Sequence, residues 1–178
     1  MHQATALLLR RYRLSETSLI IVWFTTEYGK IKTTARGALQ SNGAFAGRLE
    51  LFSTAEIGFK LSKKNDLHFL QEVISPSLQP RVASNYLTLL CASYFAELCD
   101  LLTESMHAVP EIFGLLRRAF YFLQEQKPTQ KAVDHFEKEF AKILGIYDPS
   151  MPAFHSLSRS LDHLPANRER LLSHLAKI

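Results

Sequence analysis

The hydrophobic period of this chain changes once, across Ser75-Pro76-Ser77-Leu78-Gln79-Pro80. Upstream of that stretch apolar residues recur at every second position, the spacing that puts alternate side chains on one face of a strand. Downstream they recur at every third or fourth position, the spacing of one helical face. A chain that runs through its strands before its helices belongs to the α+β class, with the two kinds of element segregated. Its 178 residues suffice for two small domains, expected at 1–78 and 79–178.

Five strands are expected in the first part. Ala55–Leu61 alternates strictly, with Ile57, Phe59 and Leu61 on one face and Glu56, Gly58 and Lys60 on the other. Lys30–Arg36 alternates as well, with Lys30, Lys32, Thr34 and Arg36 opposite Ile31, Thr33 and Ala35. Leu19–Thr26 is a continuous β-branched and aromatic run, as suits a strand covered on both faces. Thr5–Leu14 and Leu67–Ile74 complete the set, and turn residues at Glu27-Tyr28-Gly29 and Lys63-Lys64-Asn65-Asp66 separate neighbours. Five short strands bury little as an open sheet, whereas closure into a barrel removes the edges and encloses one core. The long connection at Arg36–Gly47, after the third strand, suits an OB-type barrel; an SH3-like barrel uses the same ingredients.

Helices follow. Val82–Leu102 lines up Leu90/Cys91, Tyr94 and Leu98 on one side, with Thr88, Glu97 and Asp100 on the other. Pro110 sits at the first turn of a helix carrying Ile112, Leu115/Leu116 and Phe120. Gln130–Leu144 places Val133, Phe136 and Phe140 in register and stops at Gly145, with Glu137 and Glu139 expected on its wet surface. Asn167 is the expected cap of a short last helix.

Charge divides with the period. Residues 1–78 hold ten Lys/Arg against six Asp/Glu, whereas 79–178 hold eleven of each, so the whole excess of +4 lies in the first part. A cationic bias confined to one domain points to a polyanionic partner, although a surplus of this size also serves ordinary solubility.

Catalytic signatures are missing. The sequence has neither GxxxxGK[ST] nor GxGxxG to cradle phosphates, and no GxSxG elbow to raise a nucleophilic serine. His155, His163 and His174 lie too far apart to share a metal on one helix, and Cys91 and Cys99 lack partners at zinc-ligand spacing. A non-enzymatic protein without cofactor or metal is expected. The longest apolar run, Leu19–Phe24, is far short of a membrane span, and no secretory signal precedes it, so a reducing, cytoplasmic location is expected.

Three short motifs carry a resemblance. Leu14-Ser15-Glu16-Thr17-Ser18, Phe24-Thr25-Thr26-Glu27-Tyr28-Gly29-Lys30-Ile31 and Ala35-Arg36-Gly37-Ala38 follow one another in the order and spacing seen at the N-terminus of the RecO family. The family pattern has SETS or GETS, an apolar strand, TxExG[KR] and A[KR]GA. The chain resembles that family over about residues 1–150, strongly before residue 60 and less so after it.

The resemblance implies an OB barrel with a helical domain, and sequence-independent binding of single- and double-stranded DNA. It further implies annealing of complementary strands and a mediator role with RecR, in which RecA is loaded on DNA coated with single-strand-binding protein (SSB). The residues offer a means of DNA contact. Lys30, Lys32 and Arg36 project from one strand face, with about 6.6–7 Å per two-residue step, near the pitch of an extended nucleic-acid backbone. The same cations also suit the guarding of an exposed sheet edge. Arg11 and Arg13 share a face of the first strand, Arg48 borders the long connection, and Tyr28 in the turn beside Lys30 is the candidate for base stacking, Trp23 being assigned to the core.

The sequence departs from the family at three places. Leu39-Gln40-Ser41-Asn42-Gly43 has no cation where members usually carry a basic stretch. Ile146–Arg159 has no cysteine where many carry a four-cysteine zinc module and a further helical segment, so no zinc is expected. Asp134-His135-Phe136 stands where some members hold the acidic SSB tail with basic residues; Arg117 and Arg118, beside Phe113, Phe120 and Tyr121, are the alternative tail contacts. The expected function is recombinational DNA repair through DNA binding and annealing. The alternative is a shortened protein-interaction module with little DNA binding of its own.

Overall fold

A computed structural model describes residues 1–77, 82 and 84–177. Five strands, β1 (His2–Arg13), β2 (Leu19–Thr25), β3 (Gly29–Ala35), β4 (Thr54–Lys60) and β5 (Leu67–Ser77), precede five helices. These are α1 (Tyr86–Leu102), α2 (Pro110–Glu125), α3 (Gln130–Ile143), α4 (Ala153–Ser158) and α5 (Ala166–Leu175). The chain divides into two units, one of 1–79 with 103–113 and the other of 80–102 with 114–178.

The strands close into a barrel in the order β1-β2-β3-β5-β4, every pair antiparallel except β3 with β5. This order is OB-like, and it explains the long connection. After β3 the chain must travel to the far side of β1 before β4 can pair there, a crossing no tight turn can make. Residues 36–53 make it in a run of turns. Phe52 and Ser53 join β1 on the way: the Phe52 N–H donates to the Leu8 carbonyl at 2.8 Å and the Leu8 N–H to the Ser53 carbonyl at 3.0 Å.

Alternation decides the interior. Ala4, Ala6 and Leu8 of β1, Ile21 and Trp23 of β2, Ile31 and Ala35 of β3, Ile57 and Phe59 of β4, and Leu70 and Val73 of β5 fill one core, with Phe45 and Leu49 of the connection added to it. Trp23 is fully buried, its indole N–H donating to Thr33 Oγ1 at 2.9 Å. Val22 and Phe24, on the opposite face of β2, are also fully buried, so this strand is covered on both sides.

Several strand ends differ from expectation: β1 begins at His2 rather than Thr5, and β3 stops at Ala35, one residue before Arg36. Leu61 lies beyond the end of β4 and is exposed. β5 continues past Ile74 because Ser75, at φ 47°, and Pro76 together oppose one residue of β4, a bulge that takes up the proline. The expected break at Leu78–Pro80 lies outside the described residues.

In the helical unit α1 is buried on nearly all sides, including Thr88 and Glu97, which the amphipathic reading put in water. Glu97 accepts the backbone N–H groups of Ala166 at 3.1 Å and Asn167 at 3.3 Å. The carboxylate thus caps α5 in place of an Asn167 side chain, at the helix end that favours negative charge. Glu137 of α3 is likewise buried. It accepts Tyr94 Oη at 2.6 Å and Arg168 Nε at 2.8 Å, while Arg168 stacks 3.6 Å over the Phe154 ring. Thr129 caps α3, accepting the Ala132 N–H at 3.2 Å. Cys91 and Cys99 are buried, and burial pushes the Cys91 thiol far above its ordinary value. No group of three or more His, Cys, Asp or Glu among the described residues has the geometry to hold a metal, and no helix among them is long and apolar enough to cross a membrane.

Candidate nucleic-acid interface

The outward face of β3 carries Lys30, Lys32, Thr34 and Arg36 as the alternation predicts, but neighbours treat them differently. Lys32 and Arg36 are exposed, about 13 Å apart along the strand. Lys30 is only 8% exposed, a correction to its place among the outward cations. β5 pairs with β3 only at Lys32–Thr34, so the start of β3 has an open edge, and residues 105–106 occupy it. Ser105 bridges Lys30 in parallel, and the Met106 N–H donates to the Lys30 carbonyl at 2.9 Å.

Register adds residues that the alternation of β3 alone did not reveal. Phe69 on β5 lies opposite Thr34 on one side and Lys60 of β4 on the other. Arg36 Cζ lies 5.8 Å from the Phe69 ring centroid, within reach of a cation–π contact. Lys60 is exposed and Phe69 is 37% exposed, so Thr34, Phe69 and Lys60 form a row across β3, β5 and β4, with Lys32 two residues before Thr34 and Arg36 two residues after it, just past the strand. Two concavities adjoin the row, of about 560 Å³ and about 420 Å³. Both are lined by Thr34, Arg36 and Phe69, and none of the described residues lining either is acidic. The signal for Phe69 in the sequence was an aromatic at an outward position of β5, visible only once its pairing partners are known.

The remaining predicted contacts are spread around the barrel. Arg11 and Arg48 are exposed but tie the long connection down: Arg11 Nη1 donates to the Leu49 carbonyl and Arg48 Nη1 to the Val73 carbonyl, each at 2.9 Å. Arg13 is exposed and donates Nε to the Ser15 carbonyl at 3.2 Å. Tyr28 is half-buried rather than open for stacking. Its ring packs edge-on against Phe59 at 5.4 Å and His2 at 5.8 Å, and its hydroxyl lies 3.2 Å from His2 Nδ1. A turn residue would be free; this one folds back to seal the barrel core.

The helical unit has a groove of its own, of about 420 Å³. Phe95, Phe122 and Phe136 form its apolar walls, and Arg118, Lys131 and His135 stand among the residues that line it. Of the expected tail contacts Arg118 is at this groove, whereas Arg117 and Tyr121 are exposed but do not line it. Phe113, in the first turn of α2, is 4% exposed and so closed to a partner, a correction to its place among the tail contacts. Lys131 and Phe122 were not singled out from the sequence, since neither stands next to the Arg117-Arg118 pair along the chain.

Comparison with known proteins adds a second, independent line. Residues 1–76 match the family model for the recombination protein O N-terminal domain and residues 83–150 that for its C-terminal domain. The chain is 26% identical over 150 residues to the DNA repair protein RecO of Syntrophus aciditrophicus, covering 84% of this chain and 58% of the relative. It is 31% identical over 165 residues to that of Geobacter metallireducens, covering 93% and 65%. Against that of Pelobacter propionicus it is 30% identical over 138 residues, covering 78% and 55%. The chain thus spans a little over half of the length of these relatives.

Proposed function

The chain belongs to the RecO family, and on that footing we propose that it binds DNA without reading sequence, anneals complementary strands and acts with RecR and SSB as a mediator of recombinational repair. The observation that carries this reading is the outward row on β3, β5 and β4, where Lys32, Arg36 and Lys60 are exposed and the described residues of the adjoining concavities include no acid. Cations so placed neutralise phosphates and leave the base edges unread, so affinity falls with salt and hardly varies with sequence. Arg11, Arg13 and Arg48 extend the positive surface around the barrel. No step of this function asks for bond-making by the protein.

Three phosphate contacts on a single strand give a log–log salt slope near −2, which is about a 20-fold loss of affinity from 50 to 200 mM salt. Six contacts, with the three arginines engaged, would double that slope. Fluorescence anisotropy with a labelled single-stranded oligonucleotide across a salt series measures it. Lys32→Glu with Arg36→Glu should remove most of the binding while the thermal midpoint stays put. A salt-independent affinity, or none at low salt, rejects the reading in favour of a protein-interaction module.

The groove of the helical unit supports the partner side of the proposal. Aromatic walls with Arg118, Lys131 and His135 among the lining residues suit an acidic peptide that also carries apolar side chains, and the SSB tail is the acidic partner proposed for it. Arg118→Glu should abolish binding of that tail peptide in the full chain and leave oligonucleotide affinity unchanged.

A further inference from the structure

The structure assigns to Phe69 and Arg36 a base-stacking wedge for unpaired nucleotides, an inference that rests on the proposed DNA binding and names the part of the strand this site takes. Phe69 and Arg36 line both concavities beside the row together with Thr34, so ring and guanidinium stand in the wall that the two share. Each concavity, at about 560 Å³ and about 420 Å³, is in the range that small ligands occupy. An aromatic ring and a guanidinium plane are the two kinds of side chain on which exposed bases stack. The neighbours of Phe69 on the outward face are Leu67 and Gln71 on its own strand, Lys60 on β4 and Thr34 on β3, with Lys32 opposite Leu67 and Arg36 just past the end of β3.

An aromatic held there by barrel pairing, with cations on both adjacent strands, matches a nucleotide in both its parts. The base meets the ring while its phosphates meet Lys60 and Lys32. Successive bases of one strand take the two sides of the wedge. A duplex keeps its bases stacked on one another and offers the site only phosphates, so the wedge makes the barrel prefer single strands.

The test uses the full chain with three labelled probes: oligo(dT), an abasic strand of the same length, and a duplex. Phe69→Ala is expected to weaken oligo(dT) binding by about fivefold or more, with the abasic strand and the duplex held within about twofold. Phe69→Tyr is expected to keep the native pattern. Phe69→Trp gives a fluorescent reporter, with native Trp23 sealed in the core as a constant background. The emission of that variant is quenched by oligo(dT) and not by the abasic strand. Should Phe69→Ala weaken all three probes equally, or should the Phe69→Trp emission ignore oligo(dT) that anisotropy shows to be bound, the wedge is overturned and the proposed DNA binding stands. Failure of the native chain to bind any of the three overturns both.

Discussion

Met106 donates its backbone N–H to the carbonyl of Lys30 at 2.9 Å, and the contact separates Lys30 from Lys32 although both leave the same face of β3. One lysine is covered and the other is exposed. Charge reversal should therefore act on different quantities at the two positions. Lys30→Glu, which places a new carboxylate at a covered site, should cost about 1–3 kcal/mol of stability. Lys32→Glu should leave stability within about 0.5 kcal/mol and weaken oligonucleotide binding instead. Urea denaturation beside anisotropy checks both, and equal effects of the two variants on binding alone would contradict the burial of Lys30.

Gly29 precedes that contact at φ 63°, and a Cβ there would run into the carbonyl of His107. Neither backbone has room to give way easily. Gly29→Ala should destabilise the barrel by about 2–4 kcal/mol, from the left-handed backbone and the clash together. Gly47, also at positive φ at 66° but with open space around it, is the control: Gly47→Ala meets the backbone cost alone, about 1–2 kcal/mol. Thermal denaturation of the two variants separates clash from conformation.

The buried Glu137 is satisfied by Tyr94 and Arg168. Among the described residues, removing Arg168 leaves the carboxylate with the tyrosine hydroxyl alone as donor, in a site where Glu137 is only 2% exposed. Arg168→Met should cost about 3 kcal/mol, at the low end for a buried pair because the arginine side chain is 20% exposed. Glu137→Gln, which keeps the shape and lacks the charge, should cost less. A larger loss for Glu137→Gln than for Arg168→Met would show that the pair is not what holds α5 in place.

His68 sets a pH dependence for the barrel. Its Nδ1 accepts the Ser62 N–H at 3.2 Å, and its Nε2 is buried with no hydrogen-bond partner among the described residues. Burial lowers its pKa from the ordinary 6.5, with His2 assisting and Asp66 opposing. The unfolded chain therefore takes up a proton near pH 6.5 that the folded barrel refuses until lower pH. Stability should be flat above that value, fall as the pH drops below it, and level off below the folded pKa. Urea midpoints between about pH 5 and about pH 8 measure the slope, and His68→Leu should flatten it. A midpoint that rises on acidification would reverse the sign and rule the mechanism out.

Much of the barrel was legible in the sequence because alternation is a local property. Ile57 against Glu56, and Ile31 against Lys32, each report their face within a few residues, and the place of the long connection suited an OB-type barrel while leaving an SH3-like one open; the strand order came only with the structure. What was missed is non-local. The covering of Lys30 depends on residues more than seventy positions away, and Phe69 becomes a site residue only through its register with Thr34 and Lys60. Glu97 and Glu137 read as wet because charge on a helix usually is. Both are buried because α5 brings them donors, Ala166 and Asn167 to the first and Arg168 to the second.

The association of residues 103–113 with the barrel bears on how the protein can be dissected. A fragment cut at the change of period would keep all five strands and still expose the main chain at the beginning of β3, which in the intact protein is spoken for by Ser105 and Met106. Such a fragment offers its neighbours an unfinished ladder, and strands left in that state invite pairing between molecules. An isolated barrel made for binding studies is best designed with those later residues grafted back on, or its self-association will be mistaken for a property of the native chain.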